Sequence, residues 1–292
     1  MIIDAHRHLW SVFQRHPAAF GAPPPARLDW EEAAGEMAAE MNGADVDRAV
    51  LLVADFAARL GDPPYPIQEE NRLIVEAARR YPERVIPFYG IDPRRPGAAD
   101  GFERAIREWG VRGIKLHPAV GFFPHHRACY PLYEICVAHD LPVLFHSGPA
   151  SFSPLLYNRF THPLEFDQVA TDFPQLTIIL GHACGDWWED GIAIARGHPR
   201  MVLELSEWQL RLKEAPEESV HALDRMRRGV GVERMMWGTD FPGVRHLMSL
   251  KECVQVFRDL PATASRFGER FTEREVAAIL GGTAARLLKL DG

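Results

Sequence analysis

Two histidines separated by one residue, His6 and His8, end the opening run Met1-Ile2-Ile3-Asp4-Ala5-His6-Arg7-His8. On a strand, alternate side chains point to the same face, so both imidazoles look one way. Neutral imidazole binds zinc and other borderline transition ions strongly, and a pair held on one rigid backbone loses little further entropy on chelation. The pair reads as half of a metal site. Further along, Lys115 and His117, His146, His182 and Asp240 each close another short apolar run. A catalytic zinc-type centre wants three or four nitrogen or oxygen ligands and one open position, and His6, His8, His146 and Asp240 suffice for a single divalent ion. Such an ion lowers the pKa of water toward roughly 7. Asp240 is the candidate to take the water proton and return it to a leaving group, and His182 the candidate to polarise a substrate carbonyl or bind its oxyanion. Lys115 and His117 are candidate substrate-binding groups. By the same alternation Asp4 shares a face with His6 and His8 but lies deeper, and it is expected to support the ligands rather than join them.

These residues matter only if the chain gathers them. Eight apolar, β-branched runs read as buried strands: Ile2 to Ala5, Arg48 to Val53, Val85 to Tyr89, Val111 to Leu116, Pro142 to Phe145, Leu176 to Leu180, Met201 to Leu205 and Arg234 to Trp237. Between them come stretches of helical spacing, such as Phe102, Ala105, Ile106 and Trp109, then Leu132, Ile135 and Cys136, then Phe166, Val169, Ala170 and Phe173. Thr272-Glu273-Arg274-Glu275 is a capping box that opens a helix continuing through Val276, Ile279 and Leu280, and Pro66 and Pro131 suit first helical turns. Strands alternating with helices imply parallel pairing, and eight units in 292 residues fit a closed (β/α)8 TIM barrel formed by one domain spanning 1–292. In a barrel all strand C-terminal ends converge on one mouth. Five of the 13 histidines fall at such ends, which chance placement explains poorly.

Composition narrows the partners. A net charge of -7 offers no broad basic surface for nucleic acid or an anionic membrane, and no run of some 18 apolar residues is present. A small-molecule substrate is the expectation. The four cysteines form no Cys-x-x-Cys pair and the opening lacks a signal-peptide succession, so a cytoplasmic setting is expected. Cys184 has no nameable activating partner and reads as a buried thiol. The aromatics Trp187, Trp188, Phe122, Phe123 and Trp208 either wall an apolar pocket or pack between loops. The segment from Trp10 to Asp29, rich in Pro, Ala and aromatics, either folds over the mouth or is a plain surface loop.

Together, Asp4-Ala5-His6-Arg7-His8, Gly113-Ile114-Lys115-Leu116-His117-Pro118, Pro142-Val143-Leu144-Phe145-His146-Ser147-Gly148, Gly181-His182 and Gly238-Thr239-Asp240-Phe241-Pro242 resemble the amidohydrolase superfamily, and within it the amidohydrolase 2 family. The resemblance runs from Met1 to about Leu288. It implies a metal-bearing TIM barrel with His6, His8, His146 and Asp240 on a single ion, usually zinc with manganese as the alternative, and His182 beside the reacting group. In binuclear relatives a strand-four lysine is carbamylated and bridges two ions; if Lys115 did so, His182 would become a ligand of the second ion, and the single-ion form is the expectation. Gly282-Thr283-Ala284 departs from the family's usual Gly-Asn-Ala, for which a local adjustment is expected. The resemblance also allows a homodimer.

Three functions compete. The first is hydrolysis of an amide, lactone or ester by metal-activated water. The second is non-oxidative decarboxylation of an aromatic or muconate-type acid, for which Lys115, Arg7, Arg159 and Arg211 are available cations. The third is a non-catalytic binding barrel, against which an intact ligand set argues.

Overall fold

The structure is a computed structural model that describes residues 1–23 and 28–290. Residues 24–27, inside the segment from Trp10 to Asp29, lie outside the described set, as do 291–292. The strands are β1 (Ile3–Arg7), β2 (Arg48–Leu51), β3 (Val85–Pro87), β4 (Tyr89–Gly90), β5 (Ile114–Leu116), β6 (Val143–Phe145), β7 (Ile178–Leu180), β8 (Met201–Glu204) and β9 (Met235–Met236). Pairing is parallel throughout, with β1 to β3 in one sheet and β4 to β9 in another.

The two sheets are arcs of one ring. At Phe88 the chain changes partners: its N–H donates to the Leu51 carbonyl at 2.9 Å, while the Tyr89 N–H donates to the Gly113 carbonyl at 2.9 Å. β3 and β4 are therefore halves of a single stave. At the other junction the Ala5 N–H donates to the Trp237 carbonyl (3.0 Å), the Asp240 N–H to the His6 carbonyl (2.8 Å) and the His8 N–H to the Phe241 carbonyl (2.7 Å). These bonds join last strand to first, so the nine segments make the eight staves of a TIM barrel.

Each stave is buried on both faces, which is why it reads as a nearly continuous apolar run. Ile3, Ala5, Val50, Leu52, Ile86, Phe88, Leu144, Ile179, Val202 and Met236 fill the barrel, joined by Ala284 and Leu288 at its lower end. The alternate residues, among them Leu51, Ile114, Leu116, Val143, Phe145 and Leu203, pack outward with the helical layer. Strand starts fall later than the apolar runs suggest. Val111 and Leu176 are buried, but in the turns that enter β5 and β7, where burial is all that apolar character reports.

The helices form where periodicity places them. The helix Ala98–Trp109 buries Phe102 and Ala105, and Tyr130–His139 buries Leu132 and Cys136 with Pro131 in its first turn. Pro66 stands just before the helix Ile67–Arg80, as its cap. The Thr272 capping box is present, with its hydroxyl accepting from the Glu275 N–H. The helix does not run on unchanged through Ile279 and Leu280: it widens into a π-type turn at Ala278–Gly282 before Thr283–Leu287. A Cβ at Gly281 would lie 2.3 Å from the Met1 carbonyl oxygen, so only glycine allows this approach. Buried Thr283 donates to the Val232 carbonyl at 3.4 Å. Among the described residues, no helix is long and apolar enough to cross a membrane.

Candidate active site

β1 delivers His6 within the strand and His8 just beyond it. Its pairing with β2 shifts register between Asp4 and Arg7. Ala5 lies in the barrel interior while neighbouring His6 reaches the mouth, so Asp4 does not share the histidine face as simple alternation suggests. Asp4 instead accepts from Thr239 (N–H at 2.9 Å, hydroxyl at 2.6 Å) and from the His6 N–H at 3.3 Å, fastening the strand that carries the histidines to the turn that carries Asp240. Burial pushes its carboxyl up to about 6, against the opposing pull of Arg7.

The distances at the mouth are short. His8 Nε2 lies 3.2 Å and His6 Nε2 3.6 Å from Asp240 Oδ1. The opposite nitrogen of each ring is occupied: His8 Nδ1–H donates to the Leu52 carbonyl at 2.9 Å and His6 Nδ1–H to Glu204 Oε2 at 2.7 Å. Each Nε2 therefore turns a lone pair toward a carboxylate, an arrangement of acceptors that calls for a cation between them. Lys115 Nζ stands 3.3 Å from His6 Nε2. A second group, His182, Glu207 and Asp240, places its donor atoms within 4.8 Å of one another, as do those of His6, His8 and Asp240. His146 belongs to neither trio. Its ring stacks on His117 (centroids 4.2 Å apart, 16°), lies 4.8 Å from that of His182, and keeps a buried Nε2 with no hydrogen-bond partner among the described residues. Neutral imidazoles, a carboxylate and that unpartnered nitrogen are a donor set suited to a divalent transition ion.

Electrostatics keeps the donors available. Burial first, and the Lys115 charge second, hold His6 well below the usual histidine range, and burial likewise depresses His117 and His146. Burial also lowers His182 to about 3. Burial alone would raise the Asp240 carboxyl, but the adjoining His8, His6 and His182 side chains hold it well below the usual carboxylate range. Lys115 is pulled down to about 8 by burial, against the opposing effect of Asp240.

A cavity of about 220 Å³ opens above these groups, lined by His6, His8, Lys115, His117, His146, His182, Glu207 and Asp240 on its polar side. Its apolar wall is Trp10, Phe13, Phe56 and Phe152. The segment beginning at Trp10 thus does fold over the mouth, at least through Arg15, whose guanidinium is buried against Glu70 and donates to the Ala54 carbonyl at 2.8 Å. The aromatics at other strand ends pack between loops instead: Phe122 under Arg94, Phe123 against Phe160, Trp187 against His162 and Trp188 under Arg225. Of the four cations available for a substrate carboxylate, only Lys115 lines the cavity. Arg7 is bound to Asp4 and Glu40, Arg159 stacks on Phe123 and Phe160, and Arg211 pairs with Asp186. Cys184 is buried, its thiol pushed up to about 12 by that burial, so it carries no thiolate near neutral pH.

Sequence reading missed Glu204, Ser206 and Glu207. Ser206 Oγ lies 2.9 Å from His182 Nδ1 and 2.8 Å from Glu204 Oε2. Glu207, half exposed and at φ 67°, puts Oε2 3.8 Å from His182 Nδ1. A signal was there: Glu204 is a charged residue inside an otherwise apolar strand, a placement that needs buried partners.

A parallel eight-stave barrel with nitrogen and oxygen donors gathered at its strand ends defines a TIM-barrel enzyme of the metal-dependent kind. The amidohydrolase family model (Amidohydro_2) matches residues 3–290, and the chain belongs to that family; it is an enzyme of the amidohydrolase superfamily. No curated relative matches it in sequence. Among solved structures it is similar to 5-carboxyvanillate decarboxylase LigW from Sphingomonas paucimobilis (17% identity, 99% of both chains, TM-score 0.70). It is also similar to a probable 2-pyrone-4,6-dicarboxylic acid hydrolase from Acinetobacter baumannii (14%, 99% of both chains, 0.68) and to a zinc-bound amidohydrolase from Burkholderia multivorans (18%, 100% of both chains, 0.68). At these identities the likeness speaks for the fold.

Proposed function

We propose that this chain is a metal-dependent hydrolase that adds water to the carbonyl of an amide, lactone or ester of a small molecule. His6, His8, His146 and Asp240 would hold one divalent ion, zinc or alternatively manganese. When bound, such an ion polarises a substrate oxygen and brings the pKa of water toward roughly 7. The observation that carries the reading is the position of Asp240, whose Oδ1 faces the Nε2 atoms of His6 and His8 while its carboxylate also adjoins His182 at the cavity. A carboxylate there can take the proton of the attacking water and pass it to the leaving group. Lys115 and His117 bind the substrate from the cavity floor, and His182 stands beside the reacting carbonyl. An apolar cavity of about 150 Å³ admits benzene, so a cavity of about 220 Å³ walled by Trp10, Phe56 and Phe152 suits a molecule with one ring-sized group. The four buried free cysteines fit a reducing, cytoplasmic setting.

Decarboxylation is the second reading. Lys115 in the cavity favours it as an anchor for a substrate carboxylate, as does the likeness to a carboxyvanillate decarboxylase. Zinc-loaded and manganese-loaded protein, screened on lactones, amides, esters and aromatic carboxylates while acid and CO2 release are followed, separates the two. Net acid release from a neutral carbonyl compound is expected. CO2 release without it would replace hydrolysis by decarboxylation.

A further inference from the structure

The buried side of His182 is wired to two residues that sequence reading passed over, and with Glu204 ionised their hydrogen bonds take one consistent proton arrangement. Glu204 is completely buried. Its Oε1 accepts from the Ser206 N–H at 2.6 Å, and its Oε2 faces His6 Nδ1 at 2.7 Å, Ser206 Oγ at 2.8 Å and the His182 N–H at 3.3 Å. Four groups able to donate converge on one carboxyl, one at Oε1 and three at Oε2, the surroundings of an ionised carboxylate rather than of a protonated one. The single hydroxyl proton of Ser206 then points at Glu204. Were it turned to His182 instead, a hydroxyl lone pair and a carboxylate oxygen would meet at 2.8 Å with no proton between them. With its proton committed, Ser206 Oγ can meet His182 Nδ1 at 2.9 Å only as acceptor.

We infer that Glu204 and Ser206 are positioning residues that fix His182 as the Nδ1–H tautomer, leaving its Nε2 as a lone-pair acceptor rather than a hydrogen-bond donor. The backbone holds the ring in place for this. His182 has φ 57°, in the left-handed region, and its carbonyl accepts from Trp208 Nε1–H at 2.9 Å. Building on the hydrolase reading, the consequence is that neutral His182 receives a proton or binds an electron-poor centre. An oxyanion needs a donor, and this tautomer does not offer one toward the cavity.

The test reads the ring directly and needs no substrate. In zinc-loaded protein carrying 15N-histidine, with the His182 signals assigned by their loss in His182→Gln, Nδ1 is expected to be the protonated, pyrrole-type nitrogen and Nε2 the pyridine-type one. Ser206→Ala is expected to abolish that preference and Ser206→Thr, which keeps the hydroxyl, to restore it. A protonated Nε2 with a bare Nδ1 in the wild-type protein overturns the inference whether or not the protein hydrolyses anything. An Nδ1–H tautomer in a protein that turns over none of the carbonyl compounds leaves this inference standing and removes the hydrolase reading. An unchanged tautomer in Ser206→Ala would show that Ser206 does not set it.

Discussion

His8 Nε2 lies 3.2 Å from Asp240 Oδ1, with the far side of the imidazole tied to the Leu52 carbonyl at 2.9 Å. One backbone acceptor just after β2 thereby chooses the tautomer of a residue just after β1, and that tautomer turns its lone pair on a carboxylate that follows β9. Three staves are needed to make one donor usable.

Asp240→Asn should retain the fold, because the amide is the same size and the carboxylate takes part in no core packing. It should depress turnover by roughly 10²- to 10⁴-fold, the usual contribution of a positioned proton carrier, and weaken metal retention. Circular dichroism, metal content and rate measured on the same preparation check this; a variant of near wild-type activity would remove Asp240 from the chemistry.

His182→Asn discriminates between one ion and two. With a single ion on His6, His8, His146 and Asp240, the variant should keep wild-type metal content, and Lys115 should carry a free ammonium. Loss of one metal equivalent, or crystallographic density extending beyond Lys115 Nζ, would establish the carbamylated, binuclear form.

Gly238→Ala should damage the site without replacing any of its donor residues. A Cβ there would lie 2.3 Å from Glu204 Oε1 and 2.7 Å from His6 Cβ, so the strand bearing His6 must shift. Overpacking of this kind costs about 1–3 kcal/mol, read as a lower urea midpoint, and should lower metal affinity as well. Unaltered stability and affinity would show that the approach is looser than these distances.

His16 should make stability pH-dependent. It is buried edge-on to Phe56, and burial, with the Arg15 charge second, lowers it to about 4 from an ordinary 6.5. The unfolded chain takes up a proton as pH falls through 6.5 while the native protein does not until about 4, so stability is lost across that window and is complete above it. The loss is roughly 3 kcal/mol. Urea titrations at pH 7 and pH 4.5 should show His16→Phe losing much less than wild type; parallel losses would contradict the shift.

The barrel was legible because a stave buried on both faces is an apolar run by necessity, whichever neighbours it finds. Residues 111–116 and 176–180 were read too long for the same reason, since burial in a turn and burial in a strand look alike in sequence. His6, His8, His146, His182 and Asp240 announced themselves as polar residues at the ends of such runs, a local contrast. Glu204 and Ser206, whose meaning lies in bonds to His6 and His182 across 198 and 24 positions of chain, did not.

By itself, then, the sequence determined the alternation of strand and helix and the chemical character of the strand ends, because both are set by nearest neighbours and by burial. Tertiary structure alone decided which ring nitrogen of His8 is tied to the backbone, that Trp10, Phe56 and Phe152 rather than Trp187 or Trp188 wall the cavity, and that Arg7, Arg159 and Arg211 are spent elsewhere. Hydrogen bonds and ion pairs choose partners by distance and direction in space, and closing the ring fixes those distances.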